Sequence, residues 1–200
     1  MGIKDIRRNY ILEQAIRLFC ENSITDIKIK DVAQHCNIGE ATFYRYYPKR
    51  SKLVIACALR LQEKVCEYFF DVTGGTGYDQ LTRFYHRYYE IFCDHPEYYR
   101  FLSEFDAYCI SEEVKDLDLY SENLDVFKEK FFEAYQQGVT DGTVREIKNF
   151  DLFYYSTTHA LLSLCKKLAA EAYIVKQDKL TDKRQEVRMM IEIILQSITK

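Results

Sequence analysis

Apolar residues recur at three- and four-residue intervals along almost the whole chain, and that spacing leaves little room for anything but helix. One stripe runs through Val187, Met190, Ile191, Ile194, Leu195 and Ile198. Another runs through Phe153, Thr157, Ala160, Leu161, Leu164, Cys165 and Leu168. Only two prolines and seven glycines stand among the 200 residues. In a helix interior these cost about 3 and 1 kcal/mol relative to alanine, so their scarcity agrees with the periodicity. The hydrophobic fraction of 48% and charged fraction of 30% suit a chain that buries a core in water. An all-α fold is predicted.

Taken in order, residues 4–22 carry Ile11, Ala15, Leu18 and Phe19 on one stripe, after a basic start of Lys4, Arg7 and Arg8. That start is either a solvated helix end or an arm close to a polyanion. A short helix is predicted over 29–36, burying Ile29, Val32, Ala33 and Cys36. Asn37 then tolerates the left-handed backbone of a tight turn, Ile38 plugs the turn, and Gly39 is an acceptable N-cap. A second short helix is predicted over 40–47. Ala41, Thr42 and Arg45 fall on its free side, with Phe43 and Tyr47 packed inward. This is the pattern of a helix-turn-helix, whose second helix enters the major groove of DNA.

Charge supports that reading. The net charge is −3, yet the first 53 residues hold ten Lys/Arg against six Asp/Glu. The remainder holds 18 basic and 25 acidic residues. A basic head on an acidic body fits a protein whose head alone meets phosphate.

Residues 24–53 resemble the DNA-binding domain of the tetracycline-repressor (TetR) family of bacterial transcriptional regulators. The residues carrying the resemblance are Ala33, the Asn37-Ile38-Gly39 turn, Thr42-Phe43-Tyr44, Tyr46-Tyr47, the basic residue Arg50 and Leu53, with Leu18-Phe19 in the preceding helix. The chain departs from the family pattern at Asn37, where glycine is usual. It departs again at Lys28, where Ser or Thr opens the helix, and at Lys49, where Ser or Asn caps the next one. The resemblance implies an N-terminal three-helix domain over 1–50, with a long helix leading into a helical ligand-binding and dimerisation domain over 51–200. It also implies a dimer built on the last two helices. That places Ala160, Leu161, Leu164, Leu168, Val187, Met190, Ile191, Ile194, Leu195 and Ile198 at the subunit interface, with an intrachain core as the alternative.

Candidate DNA contacts follow from side-chain chemistry. Arg45 suits bidentate contact with guanine, Ala41 and Thr42 a thymine methyl, and Glu40 a cytosine amino group or the helix dipole. Tyr44 and Tyr46 carry hydroxyls suited to phosphate, a use the resemblance also implies. Lys28, Lys30, Lys49, Arg50 and Lys52 would hold register electrostatically.

The long helix is predicted over 50–71, about 33 Å. Residues 73–77, TGGTG, end it as a loop. No strand precedes them and no Lys-Ser/Thr follows, so they do not form a phosphate cradle. Further helices are expected over 78–92, 97–110 and 122–138. Seventeen tyrosines and thirteen phenylalanines crowd the chain. Buried tyrosines need hydroxyl partners, so part of this set is expected to line a pocket. The candidates are Phe84, Tyr88, Tyr89, Phe92, Phe101, Phe105, Tyr108, Phe131, Tyr135 and His159, with Glu90, Glu104 and Glu133 as carboxylates. A flat or cationic organic effector would suit such a pocket. A Tyr-rich packed core is the alternative.

Seven scattered cysteines without a CxxC pair indicate neither a disulfide framework nor a zinc site, and buried, reduced thiols are expected. No cofactor and no metal are expected. The start MGIKDIRRNY lacks the apolar core of a signal peptide, and no run of about 18 apolar residues occurs, so a cytoplasmic location is expected. No Ser-His-Asp set, nucleotide loop or HExxH motif points to an enzyme. The expected function is a dimeric repressor, released from a palindromic operator by a small effector. An activator, or a regulator controlled by a protein partner, stays open. A cavity of roughly 300–1,000 Å³ in the body would favour the effector, and a filled core beside an exposed apolar patch would favour the protein partner.

Overall fold

The computed structural model describes residues 2–70, 74–170 and 180–200. Asp71 and Thr73, expected at the end of the long helix and in the glycine-rich loop, lie outside the described residues. Among those described there are nine helices and no strand: α1 (Ile3–Glu21), α2 (Ile29–His35), α3 (Glu40–Tyr44), α4 (Arg50–Phe70), α5 (Gly77–Asp94), α6 (Pro96–Ser111), α7 (Asp118–Asp141), α8 (Phe150–Ala169) and α9 (Lys183–Ile198). They form two compact units, residues 1–64 with 100–121, and residues 65–99 with 122–200. Neither unit is one continuous piece of chain, because α4, α6 and α7 each contribute to both.

In the first unit the core is built from α1–α4 and the later part of α6. Phe19, Ile24, Val32, Phe43, Tyr47, Leu53 and Cys57 are almost fully buried. Phe101, Phe105 and Tyr108 on α6 are buried in this same unit, where Phe101 stacks on Phe105 with ring centroids 6.0 Å apart. Glu113 takes a left-handed φ of 48°, and the Val114 N–H reaches the Cys109 carbonyl at 3.0 Å, which ends α6. The acidic run after it turns helical earlier than residue 122. Asp118 and Glu122 there suit the positive end of a helix dipole, and α7 starts at Asp118.

The second unit is an aromatic core. Phe84 and Phe131 meet edge to face at 4.9 Å, Phe131 and Tyr154 at 5.1 Å, and Phe69 and Phe84 at 5.2 Å. α5 packs on α8 and α9, and α8 on α9. α5 starts against the end of α7 at a glycine pair. A Cβ on Gly77 would sit 2.0 Å from the Gly138 nitrogen, so neither helix tolerates a side chain there without moving. The Gly77 N–H donates to Asp141 Oδ2 at 2.8 Å, and Thr76 caps the helix by accepting from the Asp79 N–H. Arg145 Nε donates to the Ser197 carbonyl at 2.5 Å, placing a cation at the negative end of α9.

Candidate DNA interface

The turn between α2 and α3 is fixed by backbone hydrogen bonds. The Ile38 N–H donates to the Ala33 carbonyl and the Asn37 N–H to the Gln34 carbonyl, both at 3.0 Å. Asn37 sits between them at φ 54°. These bonds make a Schellman stop with asparagine in the left-handed position, so the departure from glycine is accommodated. Lys28 precedes α2 without a side-chain cap. Asp31 replaces it by accepting from the Lys28 N–H at 2.8 Å.

Helix α3 is shorter than the expected 40–47. Its helical bonds end at Tyr44, and a turn carries Tyr46 and Tyr47 back to the Phe43 carbonyl at 2.9 and 3.1 Å. Pro48 disfavours helix at the residue before it, which accounts for the early stop. Phe43 and Tyr47 point into the core as expected. Tyr47 is held by its hydroxyl donating to the Arg8 carbonyl at 3.3 Å, with the Arg8 guanidinium over its ring. Burial pushes the Tyr47 phenol up despite that cation. The face opposite this core carries exposed Glu40, Ala41, Tyr44 and Arg45, with Thr42 and Tyr46 half-buried beside them. Lys28, Lys30 and Lys49 are exposed in the same unit.

Two of the expected phosphate contacts are engaged within the chain. Arg50 does not extend into solvent. Its Nη2 donates to the Ile27 carbonyl at 3.1 Å and to the Ile24 carbonyl, and its guanidinium lies 5.2 Å from the Tyr108 ring centre. Lys52 pairs with Asp116 at 2.7 Å. Two further polar residues, Gln34 and Asn37, stand beside the candidate contacts. Gln34 and Asn37 are exposed and share a shallow depression of about 500 Å³ with Lys30, Gly39 and Glu40. The available signal was the helical face of α2 opposite Val32 and Ala33.

The expected effector residues are not gathered in one place. Phe101, Phe105 and Tyr108 belong to the first unit and the other seven to the second. His159 is exposed and lies against Tyr155 at 5.6 Å. Phe84 and Phe131 are packed ring against ring. Three buried tyrosine hydroxyls find partners within the chain. Tyr85 pairs with Thr157 at 2.8 Å, Tyr135 accepts from the Ile147 N–H, and Tyr99 donates to the Tyr88 carbonyl. Tyr89 already faces a cation, the Arg188 guanidinium 4.5 Å from its ring. The three carboxylates are engaged as well, Glu90 by Tyr68 and Arg87, Glu104 by Ser23 and Glu133 by Lys130. Of the expected aromatics, Phe92 lines an open groove of about 490 Å³ with Cys93, Pro96, Leu168, Ala169 and the start of α9, and Tyr108 lines one of about 440 Å³ with Arg50, Ile55 and Glu112 in the first unit.

The expected pairing residues divide by burial. Leu161, Leu168, Val187, Ile191, Ile194, Leu195 and Ile198 are buried within the single chain, because α5, α8 and α9 pack on one another. A side chain already out of water has little left to gain from a second copy. Leu164 and Met190 are half-buried and Ala160 is exposed. The apolar side chains that remain in water on these helices are Leu152 (64% exposed), Tyr155, Met189 (56%) and Ile193 (54%).

A family model described as bacterial regulatory proteins, tetR family, matches residues 11–57. Over this segment, which spans the helix-turn-helix and its flanking helices, the chain matches the tetR family. The head makes it a DNA-binding transcriptional regulator. The fold is similar to that of solved tetR-family structures. A tetR-family bacterial regulatory protein from Rhodococcus RHA1 superposes with a TM-score of 0.70 at 15% identity, over 100% of this chain and 98% of the other. The ketosteroid transcriptional regulator KstR2 of Mycobacterium tuberculosis does so at 0.65 and 16%, over 97% and 95%. The tetR-family regulator PfmR of Thermus thermophilus gives 0.64 and 19%, over 93% and 97%. At these identities the likeness is one of fold. No curated protein matches the chain. No helix among the described residues is long and apolar enough to cross a membrane.

Proposed function

We propose that this tetR-family regulator is a cytoplasmic, dimeric repressor that reads a palindromic operator and leaves it when an organic effector binds the second unit. Residues 1–50 form the DNA-binding part and residues 51–200 sense and pair. The observation that carries the reading is the two-faced α3 segment. Phe43 and Tyr47 anchor it in the core, while Glu40, Ala41, Tyr44 and Arg45 stand in solvent, with Lys30 beside Glu40. Arg45 reads a guanine, Ala41 and Thr42 a thymine methyl, and Tyr44 and Tyr46 bond to phosphates. Lys28, Lys30 and Lys49 hold the register.

Pairing uses the exposed stripe of Leu152, Tyr155, Ala160, Met189 and Ile193. Between Asp151 and Lys166, α8 carries no Asp, Glu, Lys or Arg, which suits a face that meets its own copy across a two-fold axis. The similarity to a ketosteroid regulator makes flat polycyclic compounds a sensible first set of effectors. The proposal is tested by selecting duplexes from a random pool with the purified protein and footprinting the winners. A two-fold symmetric site is expected, with half-sites about 34–36 Å or a multiple apart. Sedimentation is expected to show a dimer. Asymmetric single sites, bound by a monomer, would contradict the pairing. An apolar stripe left free in that case would favour a protein partner.

A further inference from the structure

We propose that Arg50 is a positioning residue for DNA recognition and not a phosphate contact: it holds the chain entering α2 against α6. The inference rests on the reading of residues 1–50 as the DNA-binding part.

By charge and place Arg50 resembles its neighbours. It opens a 21-residue helix beside Lys49 and close to Lys52. Its geometry sets it apart. Nη2 donates to two carbonyls of the α1–α2 connection, Ile24 and Ile27, and Nε is buried. The face of the guanidinium rests on Tyr108 of α6. Ile24 is fully buried, so its carbonyl needs a donor from the protein. A planar guanidinium can bond to two acceptors in its plane while stacking on a ring, and an ammonium cannot do both.

The same connection is held a second time from α6. Ser23 Oγ donates to Glu104 Oε2 at 2.5 Å. Glu104 and Tyr108 lie four residues apart, on one face of α6. Together they fix residues 23–27. The Ile27 carbonyl directly precedes Lys28, where α2 begins. The bonded turn at Asn37 then passes the direction of α2 on to α3. A contact to a base edge is lost when such elements shift by about 1 Å, so the anchoring of residues 24–27 sets whether Arg45 reaches its base.

The test compares affinities at several salt concentrations on a duplex selected from a random pool by the unaltered protein. If that protein selects no duplex, the DNA-binding reading itself fails, before any variant is compared. Arg50→Lys keeps the charge and is expected to bind about tenfold more weakly, the equivalent of one charge-assisted hydrogen bond. Its salt slope is expected to stay unchanged. Tyr108→Leu, which alters a buried ring, is expected to show a similar loss, and the double variant less than the product of the two. Circular dichroism confirms that each variant is folded, and Arg50→Lys alone decides the matter if Arg50→Ala does not fold. The proposal is overturned if Arg50→Lys binds like the unaltered protein, or if any Arg50 variant lowers the salt slope by about 0.9, the signature of one lost phosphate contact.

Discussion

The two units use aromatic residues in opposite ways. In the first, Phe43 and Tyr47 anchor a segment so that Tyr44, 45% exposed, and Arg45 beside it can face outward. In the second, Phe69, Phe84, Phe131 and Tyr154 face one another. The first arrangement leaves polar side chains in solvent, and the second joins its helices through ring contacts. Binding and stability should therefore separate cleanly between the units.

Phe131 is almost fully buried and touches Phe84, Tyr85, Phe150 and Tyr154. Phe131→Ala is expected to remove about 3–5 kcal/mol of stability, measured by urea denaturation. Below its unfolding transition the variant should keep its preference among DNA sequences. A changed preference would mean that the core of the second unit helps to read bases.

Tyr44→Phe removes one exposed hydroxyl. Affinity should fall by about 1 kcal/mol on every duplex alike, with the denaturation midpoint unmoved. Loss on one sequence only would make Tyr44 a base contact.

The smallest effect concerns pH. Bonds from the Thr76 backbone and hydroxyl hold the Asp79 carboxyl below its ordinary value of 3.8, and bonds from the Thr143 hydroxyl and the Gly77 N–H do the same for Asp141. A carboxylate depressed in the folded state stabilises it fully above the ordinary value. That contribution is lost as pH falls through the lower, folded value. Acid should thus loosen the start of α5, and Asp79→Asn with Asp141→Asn should flatten the fall of the denaturation midpoint below pH 3.8. An unaltered fall in the double variant would exclude these caps as its source.

Local rules made the head legible in the sequence. The left-handed Asn37, the inward Phe43 and Tyr47 and the outward Ala41 and Arg45 follow from turn chemistry and helical spacing alone. Arg50 was not legible in this way, because its partners Ile24, Ile27 and Tyr108 are 23 to 58 positions away in sequence. The helices of the body were readable from their stripes, but a stripe does not say what covers it. Val187 and Ile191 turned out to face helices of their own chain, while the residues left in water, Met189 and Ile193, stand just off that stripe. Tyrosine count likewise suggested a polar cavity. Tyr85, Tyr99 and Tyr135 instead satisfy their hydroxyls within the chain, through partners no spacing rule announces.

The central claim is that the exposed face of α3 reads bases, and Arg45 tests it most directly. Binding is titrated on a selected duplex and on one with the guanine pair facing Arg45 exchanged. The unaltered protein should lose about 1–3 kcal/mol on the exchange, and Arg45→Ala should bind both duplexes equally. If Arg45→Ala weakens binding but still distinguishes the two duplexes as well as the unaltered protein does, Arg45 holds the backbone and α3 does not read that base.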